Sequence, residues 1–188
     1  MAKIIIGFVG QLASGKDAGK KYLEKNYDVA STRFSNAIRD TLTRLYLPIT
    51  RGNMQDLSLD LRNRFGSDIW ARVVVQDINN SPKEIMIIDG VRRLEDIACL
   101  RDLPGFNLIS LETDPKIRYE RMKIRNENVG DADKTYEEFM ADGEREAEKE
   151  IPTVMATANY KINNNGSFDE LYAQLDKIMV AIKNKNKN

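Results

Sequence analysis

The stretch Gly10 to Asp17, GQLASGKD, follows directly on the apolar run Ile4-Ile5-Ile6-Gly7-Phe8-Val9 and restricts the possible fold more than any other segment. A β-branched run that opens into G-x-x-x-x-G-K and then a helical pattern forms a strand, loop and helix shaped to hold phosphate. Gly10 and Gly15 let the backbone curl so that successive N–H groups face an anion, and the N-terminus of the following helix adds partial positive charge. The expected contacts are the backbone from Ala13 and Ser14 through Gly15, Lys16, Asp17 and Ala18, with the Lys16 side chain reaching the outer phosphates. A nucleoside triphosphate is the cofactor that this loop predicts.

The residue after the lysine departs from the common pattern. Ser or Thr usually stands there to ligate magnesium, whereas this chain has Asp17. A carboxylate is a hard oxygen donor suited to Mg2+, directly or through water, and the alternative is that Asp17 only caps the helix.

Histidine is absent, which removes imidazole base catalysis and the commonest metal ligand, so a metal site must be built from oxygen. With 29 basic and 29 acidic side chains the net charge is zero, which gives no reason to expect nucleic acid or a membrane surface as partner. The single cysteine, Cys99, cannot form an internal disulfide, fits a reducing cytoplasm and reads as a buried packing residue. No leader or membrane-spanning pattern is present, so the expectation is a cytoplasmic protein, a monomer or homodimer, of one domain over 1–183 with a frayed tail at 184–188.

Along the chain, strand and helix patterns alternate. Lys3 to Val9 reads as a central buried strand, and the helix after the loop runs to about Asn26. A short strand over Asp28 to Phe34 precedes a helix with Ala37, Ile38, Leu42 and Leu45 on one side, ended by Pro48. Gly52 and Gly66 punctuate a helical insertion, about 34–80, whose second helix has a plausible Ser67 cap. Ile85 to Ile88 is a third strand, closed by Asp89. Ligands of open parallel sheets gather at strand carboxyl ends, so Asp89 is a candidate partner of a magnesium water, with a helix N-cap as the alternative.

Phe106 to Leu111 is a fourth strand, and Asp114-Pro115 opens a helix that carries Arg118, Arg121 and Arg125 on one stripe. Three guanidiniums so placed call for an anion such as polyphosphate. A polar segment, about 126–135, suits a cover over a reacting site. A charged helix from Tyr136 to about Glu150 is broken by Pro152. Asn159 to Ile162 is a fifth strand, and Ser167 caps a last helix carrying Phe168, Leu171, Leu175, Ile178 and Ile182. The expected fold is α/β, a doubly wound parallel sheet of about five strands.

These features together resemble the P-loop nucleoside monophosphate kinase superfamily over nearly the whole chain, with an adenylate-kinase-like sheet. GKD resembles the loop of phage-type deoxynucleotide monophosphate kinases and animal-type phosphomevalonate kinases. IIDGVRR resembles the DG-x-x-R element of adenylate kinases, and the DGVR form in dephospho-CoA-kinase-like proteins. The resemblance thus offers Arg92 or Arg93 as the arginine that holds acceptor phosphate. RYERMKIR and ANYKINNNGSFDELYAQL resemble the lid-entry helix and closing segment of dephospho-CoA kinases, which implies that Arg125 touches the triphosphate and that Asn164, Asn165 and Gly166 border adenine. FSNAI, TRGNMQ and DIW resemble the acceptor region of the phage enzymes, implying substrate contacts from Arg39, Arg51, Gln55, Arg62 and Trp70, with Asp89, Arg92 and Arg93.

Dephospho-CoA kinases place an aspartate base just after the second strand, to deprotonate a sugar hydroxyl. The matching position here is Asn36, which cannot accept a proton. A monophosphate is already ionised and needs cations only, so the implied activity is ATP-dependent transfer to a small-molecule acceptor, a nucleoside or deoxynucleoside monophosphate, with Lys16, Arg92, Arg93, Arg121 and Arg125 catalytic and Asp17 and Asp89 on Mg2+. Dephospho-CoA kinase is the alternative, and an ATPase or switch without acceptor is the alternative of another class.

Overall fold

The first strand, β1 (Ile4–Val9), is buried at every position and lies in the middle of the sheet. In a computed structural model that describes residues 4–126, 131–144 and 148–186, it is followed by α1 (Lys16–Asn26), β2 (Val29–Arg33), α2 (Phe34–Arg44), α3 (Arg51–Phe65), α4 (Ile69–Asn80) and β3 (Ile85–Asp89). Then come α5 (Leu94–Arg101), β4 (Phe106–Glu112), α6 (Pro115–Arg125), α7 (Tyr136–Gly143), α8 (Ile151–Ala156), β5 (Tyr160–Asn163) and α9 (Phe168–Lys185). The five strands are ordered β2-β3-β1-β4-β5 and every neighbouring pair is parallel.

Strand side chains alternate between faces, and each face of this sheet has its own core. Ile5 and Val9 of β1 join Met86, Ile88 and Leu108 under α2, α4, α5 and α8, where Leu42, Trp70, Val74, Ile78, Leu100 and Val154 fill the layer. Ile4, Ile6 and Phe8 face the other way, with Ile85, Ile87, Ile109 and Leu111, against Leu23 of α1 and Leu171, Leu175 and Ile182 of α9. A fully buried Ile or Leu contributes roughly 1.5–3 kcal/mol, so a strand apolar on both faces belongs in the centre. The doubly wound five-stranded sheet is therefore as the sequence predicts.

Several local expectations are corrected. Phe34 already belongs to α2, because its ring is buried on the sheet instead of extending β2. Gly52 does not punctuate a helix: it lies in the first turn of α3, which starts at a Thr50 cap whose hydroxyl accepts from the Asn53 N–H at 3.1 Å. The N-cap of α4 is Asp68 and not Ser67. Pro152 breaks nothing; it occupies the first turn of α8, where its missing N–H has no partner to lose. Helix α9 continues to Lys185, so Lys183 to Lys185 are helical and only 187–188 of the expected tail lie outside the described residues. Cys99 packs against the core as expected but is only half-buried, whereas Phe168 and Leu45 are exposed, against the packing roles expected of them.

Candidate nucleotide site

Where β1 gives way to α1, the backbone takes two left-handed residues in alternation, Ala13 at φ 60° and Gly15 at φ 97°. Such a sequence turns consecutive N–H groups inward and makes an anion-binding concavity. Gly15 has a second reason to lack a side chain, since a Cβ there would stand 2.1 Å from Asn164 Nδ2. At Gly10 a Cβ would meet Ser14 Oγ at 2.5 Å. The first-turn amides of α1 have no helical acceptor and point into the same hollow. The Lys16 ammonium donates to the carbonyls of Gly10 at 2.5 Å and Gln11 at 3.1 Å. Burial pushes it below its ordinary value, against the opposing charges of Asp89 and Glu148.

The loop is held from behind. Ser14 is buried, and its carbonyl accepts from Asn164 Nδ2 at 2.8 Å and Thr113 Oγ1 at 3.1 Å, while its own hydroxyl has no hydrogen-bond partner among the described residues. Arg118, expected to face polyphosphate, is buried: its Nη1 donates to the Leu12 carbonyl at 3.3 Å and its Nε to the Thr113 carbonyl at 3.2 Å, with the Phe139 ring 5.3 Å away. Arg121 is spent similarly, on the carbonyls of Asn164 at 2.9 Å and Gly166 at 3.2 Å, so it braces the β5–α9 turn. Asn165 Oδ1 accepts from the Asp114 N–H at 2.7 Å and closes that turn onto α6. The arginine stripe of α6 is thus divided: two members support the loop and the turn, and Arg125 reaches Asp17 Oδ2 at 3.6 Å.

At the carboxyl ends of β2 and β3 the charges interlock. Asp89 is buried; its Oδ1 accepts from the Gly90 N–H at 2.8 Å, and its Oδ2 from Arg33 Nε at 2.9 Å. Arg33 Nη2 also lies 3.5 Å from Asp17 Oδ1. Asp89 is therefore no helix cap, and α5 begins after Arg93 without a side-chain cap. Arg92 pairs with Glu148 at 2.8 Å, and Arg93 is half-buried beside it. Sequence reasoning missed Arg33. The signal was available, as the last residue of a strand in an open parallel sheet is where ligands collect.

The expected acceptor residues divide between exposed positions and the scaffold. Arg39 on α2 and Arg51 and Gln55 on α3 are exposed. Arg62 and Trp70 serve the scaffold: Arg62 pairs with the buried Asp96 at 3.3 Å and donates to the Ser67 carbonyl, and Trp70 is buried in the core with its Nε1 3.4 Å from the Ser58 carbonyl. Burial raises the Asp96 carboxyl above its usual range, opposed by Arg62 and by the N–H groups of Arg92 and Arg93. Gly166 sits under Glu170, whose carboxylate would clash with a Cβ. Of the expected cover, 127–130 lie outside the described residues; Lys134 is tied to Tyr119 through its carbonyl at 2.8 Å and to Asp142 through its ammonium. No group of three His, Cys, Asp or Glu is poised as a metal cage among the described residues. The pair Asp17 and Asp89 nevertheless fits magnesium, which takes one or two carboxylates together with phosphate oxygens and water.

No helix of the described residues is long and apolar enough to cross a membrane. No family model matches the chain. Among solved structures, it resembles shikimate kinase from Bacteroides thetaiotaomicron at a TM-score of 0.61 and 12% identity, covering 96% of this chain and 98% of that one. TT1252 from Thermus thermophilus superposes at 0.55 and 17% identity, over 96% and 98%. These likenesses show the fold alone, the one that shikimate kinase also has. In sequence, MJ1399 of Methanocaldococcus jannaschii is 28% identical over 183 residues, 96% of this chain and 91% of its own length. TK1334 of Thermococcus kodakarensis is 30% identical over 187 residues, 97% of this chain and all of its own, and like MJ1399 it is described as a UPF0200 protein. An identity of that level over the entire length makes this chain a member of the UPF0200 family.

Proposed function

We propose that the protein is an ATP-dependent phosphotransferase that moves the γ-phosphoryl group to a nucleoside or deoxynucleoside monophosphate. The observation that carries this reading is the loop itself, with left-handed Ala13 and Gly15, inward amides and the Lys16 ammonium at its mouth. Such a loop holds a polyphosphate tail, and phosphoryl transfer asks of a protein mostly positioning and charge stabilisation.

In this reading Lys16 exchanges its loop carbonyls for the β- and γ-phosphates. The backbone of Ala13 to Ala18 surrounds the same phosphates. Asn164, Asn165 and Gly166 border the adenine, and Arg125 lies near enough to Asp17 to answer charge on the triphosphate. Asp17 and Asp89 would hold magnesium, which supplies charge neutralisation at the phosphate oxygens. Arg92 and Arg93 face the acceptor from the end of β3, and Arg39, Arg51 and Gln55 from the insertion.

The choice of a phosphate over a hydroxyl acceptor is supported by what ends β2. Arg33 stands there and Asn36 follows in the first turn of α2, so that position carries a cation and an amide where a base would be needed. A phosphate oxygen is ionised beforehand and attacks without one.

The test is ADP release over a panel of ribo- and deoxyribonucleoside monophosphates, dephospho-CoA and no acceptor, with Lys16→Ala as control. Turnover that depends on a monophosphate is expected. Turnover with dephospho-CoA alone, or slow hydrolysis indifferent to every acceptor, overturns the reading in favour of a hydroxyl kinase or of a switch, respectively.

A further inference from the structure

Arg33 lies in register with Asp89 on the neighbouring strand, so its place is fixed by sheet pairing as well as by its own contacts. Its guanidinium meets Asp89 Oδ2 at 2.9 Å and Asp17 Oδ1 at 3.5 Å. The remaining oxygens are also engaged, Asp17 Oδ2 by Arg125 at 3.6 Å and Asp89 Oδ1 by the Gly90 N–H at 2.8 Å. A planar guanidinium can span two carboxylates, which an ammonium cannot do as well. One cation therefore already lies between the two carboxylates suited to a metal. A divalent ion bound to both would stand against that guanidinium, charge against like charge, in the same space. The Arg33 side chain is 46% exposed and Asp17 53%, so the guanidinium has room to leave.

Resting on the phosphotransferase reading, we propose that Arg33 is a displaceable counter-ion: it bridges Asp17 and Asp89, competes with the divalent cation for them, and is released at the end of β2 when the metal enters. Its released guanidinium faces the side from which an anionic acceptor arrives. Arg33 is on this account a positioning residue for the two carboxylates.

The test is Mn2+ binding, measured by electron paramagnetic resonance on the full chain with saturating ADP, for the native protein, Arg33→Met and Arg33→Lys. Removing a paired cation from a carboxylate changes its affinity for a competing cation by about tenfold, so Arg33→Met should bind Mn2+ about tenfold more tightly. Arg33→Lys keeps the charge and loses the bridge, and should tighten binding severalfold. Native-like affinity in Arg33→Lys with tightening in Arg33→Met alone would mean that net charge matters and the bridge does not, which overturns the proposal. Unchanged or weakened binding in both variants overturns it as well. ADP binding in the presence of excess Mg2+ separates the two readings: if the native chain binds no ADP, the assigned function fails, whereas ADP binding with Mn2+ affinity indifferent to Arg33 defeats the counter-ion alone.

Discussion

Around the glycine loop each support is fastened to another, Ser14 to Asn164 and Thr113, Arg118 to Leu12, Arg121 to the β5–α9 turn. Across the site, α3 buries no residue, and Leu45, Leu47, Leu59 and Phe65 on and before it are exposed. It is held by Met54, Leu57 and Leu61, half-buried against the core, by Arg62 to Asp96 and by the Trp70 indole to the Ser58 carbonyl. The contrast suggests a division of labour. A triphosphate is a fixed shape that a rigid cradle can anticipate, whereas an acceptor is enclosed by elements that have to close on it, and those are drawn from the less stable parts of a fold.

The largest expected effect falls on the cradle. Lys16→Ala removes a positioned charge worth about 3 kcal/mol of barrier, so kcat should fall by a hundredfold or more in the ADP-release assay while the acceptor KM stays close to native. Equal losses in acceptor KM would blur the division between the halves.

Next in size is the tether of the looser half. Arg62→Met leaves the Asp96 carboxylate buried without its cation, and breaking such a pair costs about 3 kcal/mol, read as a lower urea midpoint. Local opening of the insertion should appear as faster amide exchange in α3 than in β1. Uniform exchange across both would show that the tether belongs to the global fold.

Asn164→Ala is smaller and strikes the other half. It strips the Ser14 carbonyl of one buried donor, a loss of about 1–3 kcal/mol, and should lower Tm by several degrees and weaken ATP binding together. A fall in Tm without loss of ATP affinity would separate the turn from the cradle.

The same contrast governs what could be read from the residues in order. The loop was legible because its requirements are local: two glycines, a lysine and a preceding apolar strand lie within one window. So were β1, β3 and β4, whose apolar runs only the centre of a parallel sheet can bury. The roles of Arg118 and Arg121 were not legible, since helical spacing puts them on one stripe but cannot say that the stripe faces the back of the loop. Arg62 and Trp70 matched an acceptor pattern, yet their partners, Asp96 and the core, lie far along the chain. Arg33 was overlooked because β2 was extended by one residue, which hid its place as the strand's last.

The smallest effect concerns Lys16 in the nucleotide-free state and separates a cradle that is built for phosphate from one built for stability. Burial lowers its folded value below the ordinary 10.5, so the folded chain favours the neutral amine more than the unfolded chain does. Its ammonium then opposes folding at neutral pH, fully so below the folded value, and that opposition fades as pH rises towards 10.5. The Tm of the native protein should therefore gain on that of Lys16→Met as pH is raised through that window, other titrations being common to both. Saturating ADP supplies the negative charge that favours the ammonium and should flatten the gain. A difference that stays constant with pH in the free protein would place the ammonium in water, and the loop would lose its claim to be a site held ready at a cost in stability.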